Sequence, residues 1–366
     1  MRRLAIACGF SLAAGLLCCG GDGAIRPPIS DSQDEDDSDQ PTTGGGVRGP
    51  MPPADAGTAP VALPGGAAGI GFDDMGFSPT LGFLLVPAGR TGDLDLLDPS
   101  SEEIDPVGGF STSATYAGGD TFGVTSADEG NALVYAVDRT TNTLAVVDPR
   151  QKAIVARTML AATPGYVRYV APTNEVWVTE PGMQQIEVFT LDGATATAPV
   201  HSMTIGVGNG PESLEIDATH EMAFTHQTNA TVAIDVASHE IAATWPNGCT
   251  TSRGLAVDST RGWVISACEE GLIVVLAQTG GATLGTAAVG GGVDRITYDS
   301  ARQRLYVPTP AVSEMDIIGL AATGVPQVLG VEETTNDAHC AITAGGGAVY
   351  VCAPSLGELL FIQDPF

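Results

Sequence analysis

Hydrophobic and polar positions separate most clearly between Leu133 and Pro149, read LVYAVDRTTNTLAVVDP. An apolar run, Leu133–Val137, meets the turn-rich DRTTN, and a second apolar run, Leu144–Val147, ends at Asp148-Pro149. Successive strand residues face opposite ways, so two such runs split by turn formers predict a β-hairpin. The same phrase returns in weaker forms along the chain. Seven apolar runs, most carrying an aromatic, are centred near Leu85, Tyr135, Trp177, Ala223, Val264, Tyr306 and Tyr350. Their spacing averages roughly 44 residues, the period of a four-stranded propeller blade.

Each marker is read as the second strand of its unit. First strands are expected at Ile70–Asp73, Leu214–Asp217, Leu255–Asp258 and Ile296–Asp299. Third strands are expected at Leu94–Asp98, Leu144–Asp148, Val232–Asp235 and Leu272–Leu276, with fourth strands such as Ile154–Thr158 and Ile241–Trp245. The seventh unit, His339 to Gln363, ends after its third strand, while Pro60–Leu63 followed by PGG supplies a spare fourth strand at the front. Joining the two would close the ring and hide its open edges. The expected fold is therefore all-β, a seven-bladed propeller over 58–366 closed by an N-terminal strand. Six- and eight-bladed rings are the alternatives; a β-sandwich would not produce the period.

The motifs LVYAVDRTTNTLAVVD, VWVTE, LYVPTP and VYVCA resemble YVTN-type β-propeller repeats. This resemblance covers essentially all of 58–366 and implies an architecture rather than a reaction, since propellers serve as binders, scaffolds and enzymes.

The first 57 residues have a different character. Arg2 and Arg3 precede the 14 apolar-rich residues Leu4–Leu17, too short for a comfortable membrane span and expected to act as an export signal over 1–18. Leu16-Leu17-Cys18-Cys19 resembles a bacterial lipobox, which implies cleavage before Cys19 and its lipidation. Residues 19–57 carry the acidic run SDSQDEDDSDQ and then PTTGGG, with no apolar face to bury. They are expected to form a disordered tether holding the propeller off a membrane. The address implied is the bacterial cell envelope, as an outer-membrane lipoprotein, periplasmic or surface-exposed.

Composition narrows the function classes. Glycine (47) and proline (24) suit many tight turns, and the 43% hydrophobic content suffices for a core. A net charge of −28 repels phosphate backbones, so nucleic acid is not an expected partner. Once the signal and Cys19 are set aside, Cys249, Cys268, Cys340 and Cys352 remain. An even number in an exported chain reads as two disulfides. Local pairs are favoured: Cys340 and Cys352 flank the turn at Gly346 symmetrically, and Cys249 and Cys268 fall at one rim. No Cys-x-x-Cys occurs, and neither a metal nor a cofactor is expected.

Candidate chemistry gathers at the channel mouth where first strands begin. Tyr166, Arg168, Glu212, Arg253, Asp294, Arg295 and His339 are expected there from strand starts. Arg139, Glu180, His226 and Glu269 are expected from the loops after second strands, while His201, His220 and His239 fall in outer loops. Such a mixed polar ring suits an anionic or sugar-like ligand, or a peptide. The chain has no Gly-x-Ser-x-Gly, His-Glu-x-x-His, phosphate-loop or EF-hand spacing, so catalytic residues are not assigned. The expected function is that of a monomeric, lipid-anchored binding module whose partner is an envelope protein, cell-wall fragment or sugar. The alternative is a lactonase-like hydrolase or lyase drafting His339, Glu212 and Arg253.

Overall fold

The computed structural model describes residues 59–193 and 197–366. The expected signal segment, Cys19 and the acidic tether lie outside the described residues. Within them, strands β1 to β28, numbered in chain order, form seven four-stranded antiparallel sheets. Six sheets use four consecutive strands each. In the seventh, β26 (Ala341–Gly345), β27 (Ala348–Ala353) and β28 (Glu358–Gln363) are completed by β1 (Ala59–Ala62), which pairs with β28. The ring is thus a seven-bladed propeller closed by its N-terminal strand.

The second strands are β3 (Phe83–Pro87), β7 (Leu133–Asp138), β11 (Glu175–Glu180), β15 (Met222–Gln227), β19 (Trp263–Cys268), β23 (Arg304–Thr309) and β27. Each contains one of the seven sequence markers. These strands are buried on both faces because each blade is packed between two others. The apolar core accordingly divides into clusters that each span one blade junction. Tyr135 of the second blade, for example, stacks on Tyr169 of the third with ring centroids 6.1 Å apart.

Turn chemistry explains why the hairpins recur. After β7, the Asp138 Oδ1 accepts the backbone N–H groups of Thr140 and Thr141, and Asn142 adopts a left-handed φ of 50°. Short polar side chains make both features inexpensive. Asp217, Asp258 and Asp299 do the same at the ends of inner strands, which accounts for the recurrent strand-final aspartate.

The innermost strands are β2 (Gly76–Ser78), β6 (Val124–Gly130), β10 (Val167–Val170), β14 (Glu212–Asp217), β18 (Ser252–Asp258), β22 (Thr297–Asp299) and β26. One expectation is corrected here. The first inner strand is not Ile70–Asp73 but Gly76–Ser78, and Ser78, rather than Asp73, accepts the turn N–H, from Leu81 at 3.0 Å. Residues before it are instead drawn toward the channel, where the Asp74 N–H bonds the Thr125 carbonyl at 3.0 Å.

Both expected disulfides are present. Cys249–Cys268 and Cys340–Cys352 have Cα separations of 5.2 and 5.5 Å, within the range that suits a bridge.

Candidate functional site: the central channel

The channel is organised around Asp74, a residue the sequence reading did not single out. Its fully buried carboxylate accepts the Ser126 hydroxyl at 2.6 Å and is held by two guanidiniums. Arg168 binds it through both terminal nitrogens at 2.5 and 3.1 Å, and Arg295 binds it from the opposite side. Glu215 pairs with Arg168 at 3.1 Å and with Arg295 at 3.7 Å. Burial alone would raise the Asp74 carboxyl, but the charges of Arg168 and Arg295 override it and hold the group below its ordinary value. Four side chains from four blades thereby cross-link the channel.

Three inner strands carry a register shift near their start: between Val124 and Ser126, Glu212 and Glu215, and Ser252 and Leu255. Bulges re-aim side chains. At β14 the shift coincides with a left-handed Ser213 (φ 59°), whose hydroxyl donates to the Arg253 carbonyl and lies 3.3 Å from an Arg295 nitrogen.

At the starting mouth of the channel most of the anticipated residues do meet, and they engage one another. The Arg295 guanidinium stacks 4.7 Å from the Tyr166 ring centre, and the Tyr166 hydroxyl donates to Glu212 at 3.3 Å. Arg253 bridges Glu212 at 3.7 Å and Glu269 at 2.8 Å. Arg139 pairs with Asp73 at 2.6 Å and reaches the Pro164 and Asp120 carbonyls. Burial pushes the Asp73 carboxyl up to about 8 against the pull of Arg139. Burial also raises Asp294 and Glu212.

The connection 109–123 lies over this mouth. Its Asp120, which precedes the second blade, reaches Asp294 before β22 and His339 before β26, with ligand atoms within 4.8 Å of one another. Its Gly119 carbonyl sits where a Cβ on Gly71 would be, 2.5 Å away, so that glycine is required for the close approach.

Asp120, Asp294 and His339 have the residue types of a metal site, but His339 is already committed. Its Nδ1 faces the Asp337 carbonyl at 2.8 Å and its Nε2 the Phe72 carbonyl at 3.0 Å. Carbonyls only accept, so this setting favours the doubly protonated ring, and both nitrogens already have carbonyl partners rather than a lone pair free for a metal. Burial would lower its pKa, yet Asp294 and the two carbonyls raise it. The donor set therefore does not fit a metal.

Two anticipated residues lie beneath the surface. His226 is fully buried on β15, with Nε2 against the Ser266 hydroxyl at 3.0 Å and Nδ1 against the Arg253 carbonyl at 3.2 Å. Burial depresses its pKa to about 4, so it is neutral and serves the blade junction. Glu180 is likewise buried, accepting from the Ala162 N–H and from Gln185. His201, His220 and His239 occupy outer positions against Glu187, Asp217 and Glu175.

The opposite mouth, where inner strands end, holds a hollow of about 360 Å³ to which all seven inner strands contribute. Its floor is Arg168, Arg295, Glu215 and Asp128, and its walls include Phe77, Tyr169, Ile216, Val257 and Tyr298. A second hollow of about 280 Å³ on the starting face is lined in part by Gln184, Asn209, Glu212, Thr228 and Arg253.

No protein-family model and no curated protein matches the sequence. Solved structures do match in fold. The chain is similar to a hydrazine synthase structure from Kuenenia stuttgartiensis at 12% identity and a TM-score of 0.65, covering 88% of this chain and 99% of that one. It is similar to a chain of a mitotic checkpoint complex at 12% identity and a TM-score of 0.66, covering 89% and 99%. It is also similar to the β-propeller domain of Cps50 (Swd1) from Myceliophteria thermophila at 9% identity and a TM-score of 0.65, covering 81% and 98%. Identity this low carries the architecture and no activity, and on that basis together with its sheet topology the chain is a seven-bladed β-propeller.

Proposed function

We propose that this protein is a small-molecule-binding module of the bacterial envelope, anchored by a lipid on Cys19. The observation that carries the binding reading is the channel's asymmetry. An ionic lattice crosses its middle, the connection 109–123 covers one mouth, and the other mouth is an open hollow of about 360 Å³. A preformed concave hollow on which charged groups and a few aromatic and aliphatic side chains converge is a natural candidate for a small-molecule site. The hydrolase reading is weaker because its residues are engaged: His339 donates from both nitrogens, and Glu212 is held by Tyr166 and Arg253.

A thermal-shift screen of the mature protein against sugars, lactones, organic amines and cell-wall fragments tests the binding reading. A ligand at about 100 times its dissociation constant adds about 2.7 kcal/mol, enough for a shift of a few degrees in a chain of this size. A flat response across the panel would argue for a protein partner instead. The anchor is tested separately: labelled palmitate should enter the wild-type protein in cells and not the Cys19→Ala variant. Equal labelling of both would remove the lipid from the account.

A further inference from the structure

We propose that the open hollow takes a small organic cation, an ammonium- or guanidinium-bearing molecule with an apolar body, its charge set against Glu215 and Asp128. This assignment rests on the binding reading above and names its ligand class.

The charges on the floor lead to it. The charged residues lining the hollow are Asp128, Arg168, Glu215 and Arg295, with Asp74 directly behind them. Both guanidiniums are directed at Asp74, and both also approach Glu215. Two cations therefore face two anions, and Asp128 adds a third carboxyl that no guanidinium among the described residues pairs with. An incoming anion would have to compete with Asp74 and Glu215 for the same guanidiniums. A cation can instead approach Asp128 and the Glu215 oxygen that neither guanidinium takes.

The two acids are also placed to receive it. Glu215 stays 28% exposed, and its second carboxylate oxygen takes no hydrogen bond from the described residues. Asp128 of β6 is half-buried within the electrostatic reach of Arg168 of β10 and Glu215 of β14, with one oxygen accepting the Tyr169 N–H at 2.7 Å. Burial pushes its carboxyl up to about 7, so a cation docking beside it would complete its ionisation near neutral pH.

The walls suit the rest of such a molecule. Phe77, Tyr169 and Tyr298 line the hollow. The Tyr169 ring is partly taken up by Tyr135 and the Gly130 backbone, while Tyr298, its hydroxyl bonded to Asp258 at 2.8 Å, and Phe77 are the other aromatic rings on the wall. Aromatic faces attract ammonium and guanidinium groups. The net charge of −28 further favours cations at the mouth over anions.

The test is isothermal titration of the full mature protein with three compounds of one shape: tryptamine, the neutral tryptophol and the anionic indole-3-acetate. Tryptamine should bind about tenfold more tightly than tryptophol, with indole-3-acetate weakest. Glu215→Gln should abolish that preference, bringing tryptamine down to the affinity of tryptophol. Asp128→Asn, which leaves Arg168 its other partners, provides a second variant should Glu215→Gln not fold. Equal affinity for all three compounds would overturn the cation assignment yet leave a binding hollow. Tightest binding of indole-3-acetate would overturn it outright. Binding of none of the three would also overturn it, while a neutral sugar or lactone hit in the thermal screen would keep the binding reading alive.

Discussion

Deleting Ala59–Leu63 should abolish cooperative unfolding of the propeller and drive the protein into aggregates. Strand β1 pairs with β28 from Ala59↔Phe361 to Ala62↔Glu358, and Val61 and Leu63 are buried at 6% and 5% exposure. These two side chains join the cluster at the junction of the seventh and first blades, beside Ile70, Phe72 and Tyr350. Burying an aliphatic side chain stabilises by about 1.5–3 kcal/mol, so the pair contributes about 3–6 kcal/mol before any hydrogen bond is counted. Typical domains hold only about 5–15 kcal/mol in total. The deletion would also leave the edge of β28 open to pairing with another copy. Pro60 sits on the outermost strand, where the missing N–H is tolerated, so Pro60→Ala should be mild by comparison. Circular dichroism melts and size-exclusion chromatography read both outcomes. A monomeric deletion protein with an unchanged midpoint would mean that β1 does not hold the ring closed.

Replacing Asp74 with Asn should cost about 3–5 kcal/mol, among the largest single-residue effects in the chain. The substitution keeps the shape but leaves Arg168 and Arg295, 9% and 5% exposed, sharing Glu215 alone as a counter-ion. The effect should depend on pH, with a definite sign. The Asp74 carboxyl is held below its unfolded value of 3.8, so its contribution is complete above that value and disappears as pH falls through the folded value. The gap between wild type and Asp74→Asn in urea midpoint should therefore be widest near neutrality and shrink in strong acid. Asp73 and Asp128 work in the opposite sense, because burial raises them to about 8 and about 7. Their contribution is greatest in acid and declines as pH rises from about 4 toward neutrality. Wild-type stability should accordingly peak at mildly acidic pH. A gap that stays constant from pH 3 to pH 7 would show that Asp74 acts through packing rather than charge.

Much of the architecture is visible in the chain because it is local. Each aromatic-bearing second strand and its Asp-led turn lie within a few residues of one another, and the unit they mark recurs with a period of roughly 44 residues. The spare strand at Pro60–Leu63 and the two cysteine pairs are visible for a related reason. They are departures from the repeat for which a closed ring and a local hairpin offer the simplest resolution, and the structure adopts both.

The candidate site was visible only in part. Tyr166, Arg168, Glu212, Arg253 and Arg295 do converge on the channel, because strand starts in a propeller must. Asp74 was not singled out, because strand-final aspartates elsewhere in the chain merely close turns. The doublet Asp73-Asp74, ahead of the first inner strand rather than at its end, was the available signal. His226 does stand opposite Glu212 at the level of the strand starts, but its ring is turned to Ser266 in the neighbouring blade rather than into the channel, a choice of face that only blade packing settles.

The sequence by itself determined the repeat of four-stranded units and pointed to seven blades, a closing N-terminal strand and local cysteine pairs, because pattern and turn chemistry act over short spans; the structure selected these from the alternatives. The tertiary structure alone decided which carboxylate anchors the channel, which mouth is covered by 109–123 and which is open. Asp74 and Arg295 are 221 residues apart and meet only because seven blades close on a common axis. A contact of one residue per blade leaves no periodic trace in the chain, and its charge balance exists only once the ring has formed.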